Sequence, residues 1–208
     1  QKHKIKKFVR HTINYIKSKH GINTDPYDTF DWILMANNPK INQKTIYWLS
    51  GGKTQFEGFF DISDPKVHTI MLLSKNHGYK TGLHPSYNTI DDKSMMESEW
   101  KKLCKVSKEE ISDFRQHFLR FDVKKTGKIL DELEAKTESS LGYRDRIGFR
   151  CGTGFPYRLY NFEAESAFNF IEIPLVVMDI AAMREADWNS SAWCDLITSF
   201  LERNKNAT

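Results

Sequence analysis

From Asp25 onward, stretches with helical spacing of apolar side chains alternate with short strand-like apolar runs, and this alternation restricts the fold more than any other property of the chain. Asp25-Pro26 offers a helix start, with Asp as N-cap and Pro at the first position, and Phe30, Ile33, Leu34 and Asn37 then share one side. Thr45-Ile46-Tyr47-Trp48-Leu49 reads as a strand ended by Ser50-Gly51-Gly52, with a loop from Lys53 to Ser63. Asp64-Pro65 opens a second helix, with Val67, Ile70, Met71 and Leu73 apolar, closing at His77-Gly78. Tyr79 to His84 is the next strand. Asp91 to Val106 is the next helix, with Met95, Met96, Trp100, Leu103 and Cys104 available to a core. Strands over Phe114 to His117, Ser140 to Tyr143 and Phe170 to Met178, and helices over Lys124 to Lys136 and Asn189 to Arg203, continue the rhythm. Such an order predicts an α/β fold with a mainly parallel sheet or barrel.

The chain of 208 residues suits one domain. Its net charge of +4 is concentrated at the start, where residues 1–20 hold seven Lys or Arg and no acid. Ile5, Phe8, Val9, Ile13 and Ile16 recur there at helical spacing, so residues 1–24 are expected to form a basic amphipathic helical segment, with the main domain over 25–208. No groove-reading motif occurs downstream, so nucleic acid is not expected as a partner. No apolar run approaches the ~20 residues that span a bilayer. Cys104, Cys151 and Cys194 are odd in number and widely spaced, which argues against a disulfide framework or zinc ribbon and for a reducing, cytoplasmic compartment. Lys125-Thr126-Gly127-Lys128 lacks the spacing of a phosphate-binding loop. The sequence carries no signal for an oligomeric state.

Parallel βα architectures gather their chemistry past the C-terminal ends of strands. His84, His117 and Asp179 each fall at such an end, on three expected strands. In Gly82-Leu83-His84-Pro85-Ser86-Tyr87-Asn88, Gly and Pro bracket a histidine that suits a metal ligand, although most histidines so placed are hydrogen-bonded in a turn and are not ligands. Arg115-Gln116-His117-Phe118-Leu119-Arg120-Phe121 sets a histidine between two arginines that could hold a carboxylate, while the histidine hydrogen-bonds a sugar or moves a proton; an ion-pair network with Asp113 or Asp122 is the structural alternative. From Leu141 to Tyr157, four glycines, four aromatics and three arginines fall within 17 residues, the mix of a long functional loop with backbone near a ligand and rings for sugar faces. Glu172-Ile173-Pro174-Leu175-Val176-Val177-Met178-Asp179 is an apolar run ending in an acid, which could act as a base or cap the segment after it.

Taken in order, these segments resemble the polysaccharide deacetylase family, the NodB-type carbohydrate esterases. The resemblance rests on Asp25-Pro26-Tyr27-Asp28-Thr29-Phe30-Asp31-Trp32, Gly82-Leu83-His84-Pro85-Ser86-Tyr87, the Arg115–Phe121 segment, Leu141-Gly142-Tyr143 with Gly148-Phe149-Arg150, and Glu172-Ile173-Pro174-Leu175. It implies a distorted (β/α) barrel, incomplete in this chain, that binds a divalent metal, usually zinc, and removes acetyl groups from a bacterial polysaccharide or glycan precursor. On that basis His84 and Asn88, with Ser86 beside them, are expected near the metal. His117, Asp179 and Arg115 are expected in catalysis, and Tyr87, Arg120, Tyr143, Arg150 and Phe155 at the substrate. The chain departs from the family pattern at position 88, which is Asn where a second histidine is expected, and it lacks the family's early Asp-rich and late Leu-x-His motifs. Two readings remain: a metal-dependent deacetylase whose outer segments lie outside this chain, or a catalytically inactive deacetylase-like domain that binds carbohydrate.

Overall fold

The computed structural model describes residues 13, 17, 29–35, 41–58, 61–188 and 191–206. The expected basic helix over 1–24, the Asp25-Pro26 helix start and Asn37 lie outside these residues, apart from positions 13 and 17. The chain divides into two compact units, Gln1–Asn42 and Gln43–Thr208. In the first, the described helix is α1 (Phe30–Met35), in which Leu34 is buried.

The second unit is built on a parallel sheet. Its strands are β1 (Lys44–Trp48), β2 (Tyr79–Leu83), β3 (Asp113–Phe114), β4 (Thr137–Glu138) and β7 (Ile171–Glu172), paired in that order with β1 and β7 at the edges. Helices α2 (Pro65–Asn76), α3 (Lys93–Ser107) and α4 (Thr126–Glu132) form the crossovers between successive strands. Parallel neighbours need such crossovers, because a tight turn can only reverse the chain. Strands laid side by side in chain order are the arrangement of a (β/α) barrel wall, whereas a doubly wound sheet reverses its order partway. The described residues form a five-stranded parallel sheet in that order, with helices between its strands. A two-stranded antiparallel hairpin, β5 (Tyr160–Asn161) and β6 (Ser166–Ala167), precedes β7, and α5 (Asp179–Glu185) and α6 (Ala192–Arg203) come after it.

The local reasons for these elements are visible in the caps. Asp64 accepts a hydrogen bond from the Lys66 amide at 2.8 Å, with Pro65 at the first position of α2. Asp92 accepts one from the Met95 amide at 2.9 Å at the start of α3. Asp92→Ala is expected to lower unfolding free energy by ~1 kcal/mol in a urea titration; an unchanged midpoint would show that water replaces the cap. The apolar faces meet in a core that includes Leu83 and Phe114 from the sheet, Met96 and Leu103 from α3, Leu130 from α4, and Phe168 and Phe170 before β7. Of the residues expected from α3, Trp100 and Cys104 pack at its margin, and Trp100 donates its indole N–H to the Ile111 carbonyl. Met95 instead faces outward, with its sulfur against the Ser86 hydroxyl.

Several expected boundaries are corrected. The strand expected over Phe114–His117 is Asp113–Phe114, and a 3-10 turn occupies His117–Leu119. The strand expected at Ser140–Tyr143 sits earlier, at Thr137–Glu138, and from the later stretch Gly142 keeps a parallel bridge to Leu175. The apolar run Phe170–Met178 is a two-residue strand, Ile171–Glu172. Pro174 interrupts it, because its ring nitrogen has no proton to give to the ladder. The pairing resumes beyond it, where the Leu175 amide donates to the Leu141 carbonyl. The helix expected over Lys124–Lys136 is limited to Thr126–Glu132.

Candidate functional site

The C-terminal ends of β2 and β3 lie side by side. The His84 amide donates to the Trp48 carbonyl, and the Arg115 amide donates to the Leu83 carbonyl, so both side chains leave the sheet just past the last ladder bonds. One residue on, the Gln116 amide donates to the Ser140 hydroxyl at 2.7 Å. A cleft of about 320 Å³ opens here, lined among others by His84, Arg115, Phe118, Leu175 and Asp179. The Gly142–Leu175 bridge carries the chain from β7 to this rim, where Asp179 begins α5 and accepts a hydrogen bond from the Ile180 amide.

Two imidazoles meet at one side of the cleft. His84 Nδ1 lies 2.5 Å from the Arg115 carbonyl oxygen. Its Nε2 faces His117 Nδ1 at 3.0 Å, and His117 Nε2 lies 2.9 Å from the Phe56 carbonyl oxygen. The rings stand nearly perpendicular, at 87°. Burial pushes the His84 pKa down to about 4, since a low-dielectric setting disfavours the charged ring.

Beside the histidines stands a group of aromatic rings. Phe56 stacks on Tyr87 with centroids 4.3 Å apart, and Phe118 meets both edge-on. The Arg120 guanidinium lies over Tyr87 at 3.7 Å, and Arg144 lies over Phe118 at 5.4 Å. Phe118 remains 39% exposed. Its φ is +56° and that of Leu119 is +52°. Two successive bulky residues in the left-handed region cost about 1–2 kcal/mol each, and such strain persists only where its surroundings impose it. Here the Arg120 amide closes the turn on the His117 carbonyl, and the His117 amide is held by the Pro85 carbonyl.

Buried carboxylates brace the floor of the site. Glu57 accepts from the Thr54 amide and hydroxyl and from the Tyr87 amide, which ties the Phe56 loop to the start of the turn after β2. Burial raises its pKa, but these hydrogen bonds outweigh that and hold it below the usual range. Glu99 of α3 accepts from the Ser86 amide and hydroxyl, and burial holds its pKa up. Glu138 and Glu172 are register partners on β4 and β7, both fully buried. Burial drives both above the ordinary carboxylate range, and for Glu172 the neighbouring Glu138 charge adds to it. The Ser140 hydroxyl donates to Glu138, and the Leu141 amide donates to Glu172.

The structure therefore places His84, Arg115 and Asp179 in the lining of one cleft, with His117 against His84 outside that lining and Tyr87 and Arg120 in the adjoining aromatic group. The other expected residues lie outside the cleft lining. Asn88 is exposed on the 3-10 turn Tyr87–Asp91, and Phe155 is exposed in its loop. Tyr143 packs under Arg146, and Arg150 donates to the Gly142 carbonyl. Phe56 and the pairing of Glu138 with Glu172 have no signal in the sequence, whereas Phe118 lies in the Arg115–Phe121 segment and Arg144 in the Leu141–Tyr157 loop, neither singled out there.

The divalent metal implied by the resemblance calls for His84 together with position 88 and an acid. Among the described residues no three His, Cys, Asp or Glu side chains group as ligands, and Asn88 is exposed. That ligand arrangement does not fit this site; a pair of imidazoles stands there instead.

No family model matches the chain, and no curated protein matches it. Among solved structures it is similar to the crystal structure of a provisionally named polysaccharide deacetylase from Mycobacterium smegmatis, at 15% identity and a TM-score of 0.40. The match covers 55% of this chain and 37% of that one. A likeness of that extent establishes neither family nor activity. No helix among the described residues is long and apolar enough to cross a membrane.

Proposed function

We propose that the cleft at the ends of β2 and β3 binds carbohydrate, as a deacetylase-like domain would. The observation that carries this reading is the exposed ring of Phe118, held on a strained backbone, in the lining of a mainly apolar cleft that also presents Arg115 and Asp179. Aromatic faces pack against the C–H faces of sugars, while Arg115 and Asp179 offer a donor and an acceptor for hydroxyls on the same rim. Titration calorimetry with N-acetylated and de-acetylated β-linked oligosaccharides tests it. Saturable binding is expected, weakened ~10-fold or more by Phe118→Ala, the loss of one packed ring. A wild-type protein that binds none of these sugars sinks the reading.

A second reading, removal of an acetyl group from such a glycan, is supported by the two histidines at the strand ends. Arg115 would orient the glycan and Asp179 would take or return a proton at the cleft rim. Acetate release from an N-acetylated oligosaccharide, with and without added zinc, separates this reading from binding alone.

A further inference from the structure

Arg115 and Gln116 bring to the cleft hydrogen-bond donors that the protein itself leaves unused. The Arg115 guanidinium lies over the Tyr47 ring at 4.6 Å, and its Nε donates to the Ser139 hydroxyl at 2.9 Å and the Ser139 carbonyl at 3.2 Å. The Tyr47 and Ser139 hydroxyls share a hydrogen bond of 3.1 Å, so the ring and the guanidinium are fixed together. Neither Nη group of Arg115 makes a hydrogen bond or ion pair among the described residues. The ion-pair network with Asp113 or Asp122 does not form there: Asp113 accepts from the Thr137 hydroxyl, and Asp122 from the Lys124 and Lys125 amides. Burial disfavours the charged forms of Glu138 and Glu172, which therefore answer the guanidinium only weakly. Next along the chain, Gln116 is 1% exposed and also lines the cleft. Its side-chain Nε2 is buried without a hydrogen-bond partner among the described residues. A half-buried cation without a counter-ion and a buried amide without an acceptor are both costly, and here both fall in the lining of one cleft.

We infer that the cleft takes an acidic sugar, a uronic acid residue of a polysaccharide, with its carboxylate on Arg115 and Gln116. A carboxylate accepts two parallel N–H bonds from the open end of a guanidinium and keeps lone pairs for an amide N–H. An arginine already stacked and hydrogen-bonded loses little freedom on meeting it. Asp179 stands in the same lining, so a ligand that is negative all round, as phosphate is, would be repelled there. A uronic acid carries its charge at one end only. Its carboxylate would face Arg115 while its hydroxyls donate to Asp179 and a C–H face of its ring covers Phe118. The inference rests on the carbohydrate reading of the cleft and adds the charge of the ligand.

Titration calorimetry on the whole chain compares a short β-linked oligoglucuronate with its methyl ester, which keeps the rings and hydroxyls and loses the charge. The acid is expected to bind at least ~10-fold tighter than the ester at low salt, the scale of a hydrogen bond to a charged group, and salt should shrink the advantage. Arg115→Gln should bring the two affinities together, and Gln116→Leu should reduce the acid's advantage without abolishing it. Inorganic phosphate should displace the acid poorly. Equal affinities for acid and ester in the unaltered protein overturn the inference without recourse to any variant, and so does an acid preference that survives Arg115→Gln. Phosphate that displaces the acid as readily as free glucuronate does would reveal a bare anion site and overturn it too. A protein that binds neither acid nor ester also overturns it, whereas the carbohydrate reading stands or falls on the N-acetylated and de-acetylated oligosaccharides alone.

Discussion

Unfolding free energy is expected to fall as pH rises from about 5 into the alkaline range, by a few kcal/mol in all, and Glu172→Gln is expected to remove most of that slope. Unfolded glutamates release their protons near pH ~4.3. In the folded chain, burial holds Glu138 and Glu172 protonated well above that, and the Glu138 charge adds to the effect at Glu172. Between the two ranges the folded state binds more protons than the unfolded one, so stability declines with pH, at up to ~1.4 kcal/mol per unit for each proton of difference. The stability is fully present below the unfolded value and is lost as pH passes through the raised folded values. Glu172 Oε2 has no hydrogen-bond partner among the described residues, which suits a protonated acid better than a carboxylate. Glutamine keeps the acceptor that the Leu141 amide uses, at a cost of ~1–3 kcal/mol for the amide group left without a partner. Urea midpoints from pH 5 to 9 give the slopes directly. A wild-type profile that is flat or rises would mean that both acids are ionised and that the Arg115 and Arg150 charges compensate them.

Gly142→Ala is expected to destabilise the fold by about 1–3 kcal/mol and to weaken ligand binding in the cleft as well. A Cβ at this position would lie 2.5 Å from the Leu175 carbonyl oxygen and 2.7 Å from the Leu175 Cβ. Neither atom is the free end of a side chain, so the Leu175 backbone itself must move. That backbone leads into Val177, Met178 and Asp179, which form one wall of the cleft. Gly78→Ala provides the comparison. Its φ is +77°, but nothing lies within 4 Å of the added carbon, so it should cost ~1–2 kcal/mol through conformation alone and leave the cleft intact. Equal effects of the two substitutions on ligand binding would refute the proposed coupling between the bridge and the cleft wall.

The first half of the sheet was legible in the chain because its signals are local. Asp64-Pro65 and Asp92 cap helices, and Tyr79–Leu83 is bounded by Gly78 and Pro85. The later strands were misplaced because two paired residues are too short for alternation to register, and because Glu138 sits in a run of polar residues that looks solvent-facing. The hairpin Tyr160–Ala167 was missed for the same reason. The strand-end position of His84 came from the periodicity, whereas Asp179, expected at the end of a strand, begins α5 well beyond β7. The approach of His117 to His84 has no such source, since it depends on the backbone reversal at Phe118 and Leu119, for which neither residue type gives warning. The Phe56 carbonyl that orients His117 comes from a loop 61 residues away, beyond the reach of any local pattern.

The left-handed pair at Phe118 and Leu119 also has an evolutionary side. Glycine at either position would occupy the same backbone at no steric penalty, so a lineage selected for durability alone has an accessible route to a sturdier protein. Taking it at Phe118 would strip the ring from the mouth of the cleft, and taking it at Leu119 would loosen the turn that aims His117. Robustness and recognition are therefore opposed within two adjacent codons, and directed evolution for heat tolerance would be expected to erode the site there first.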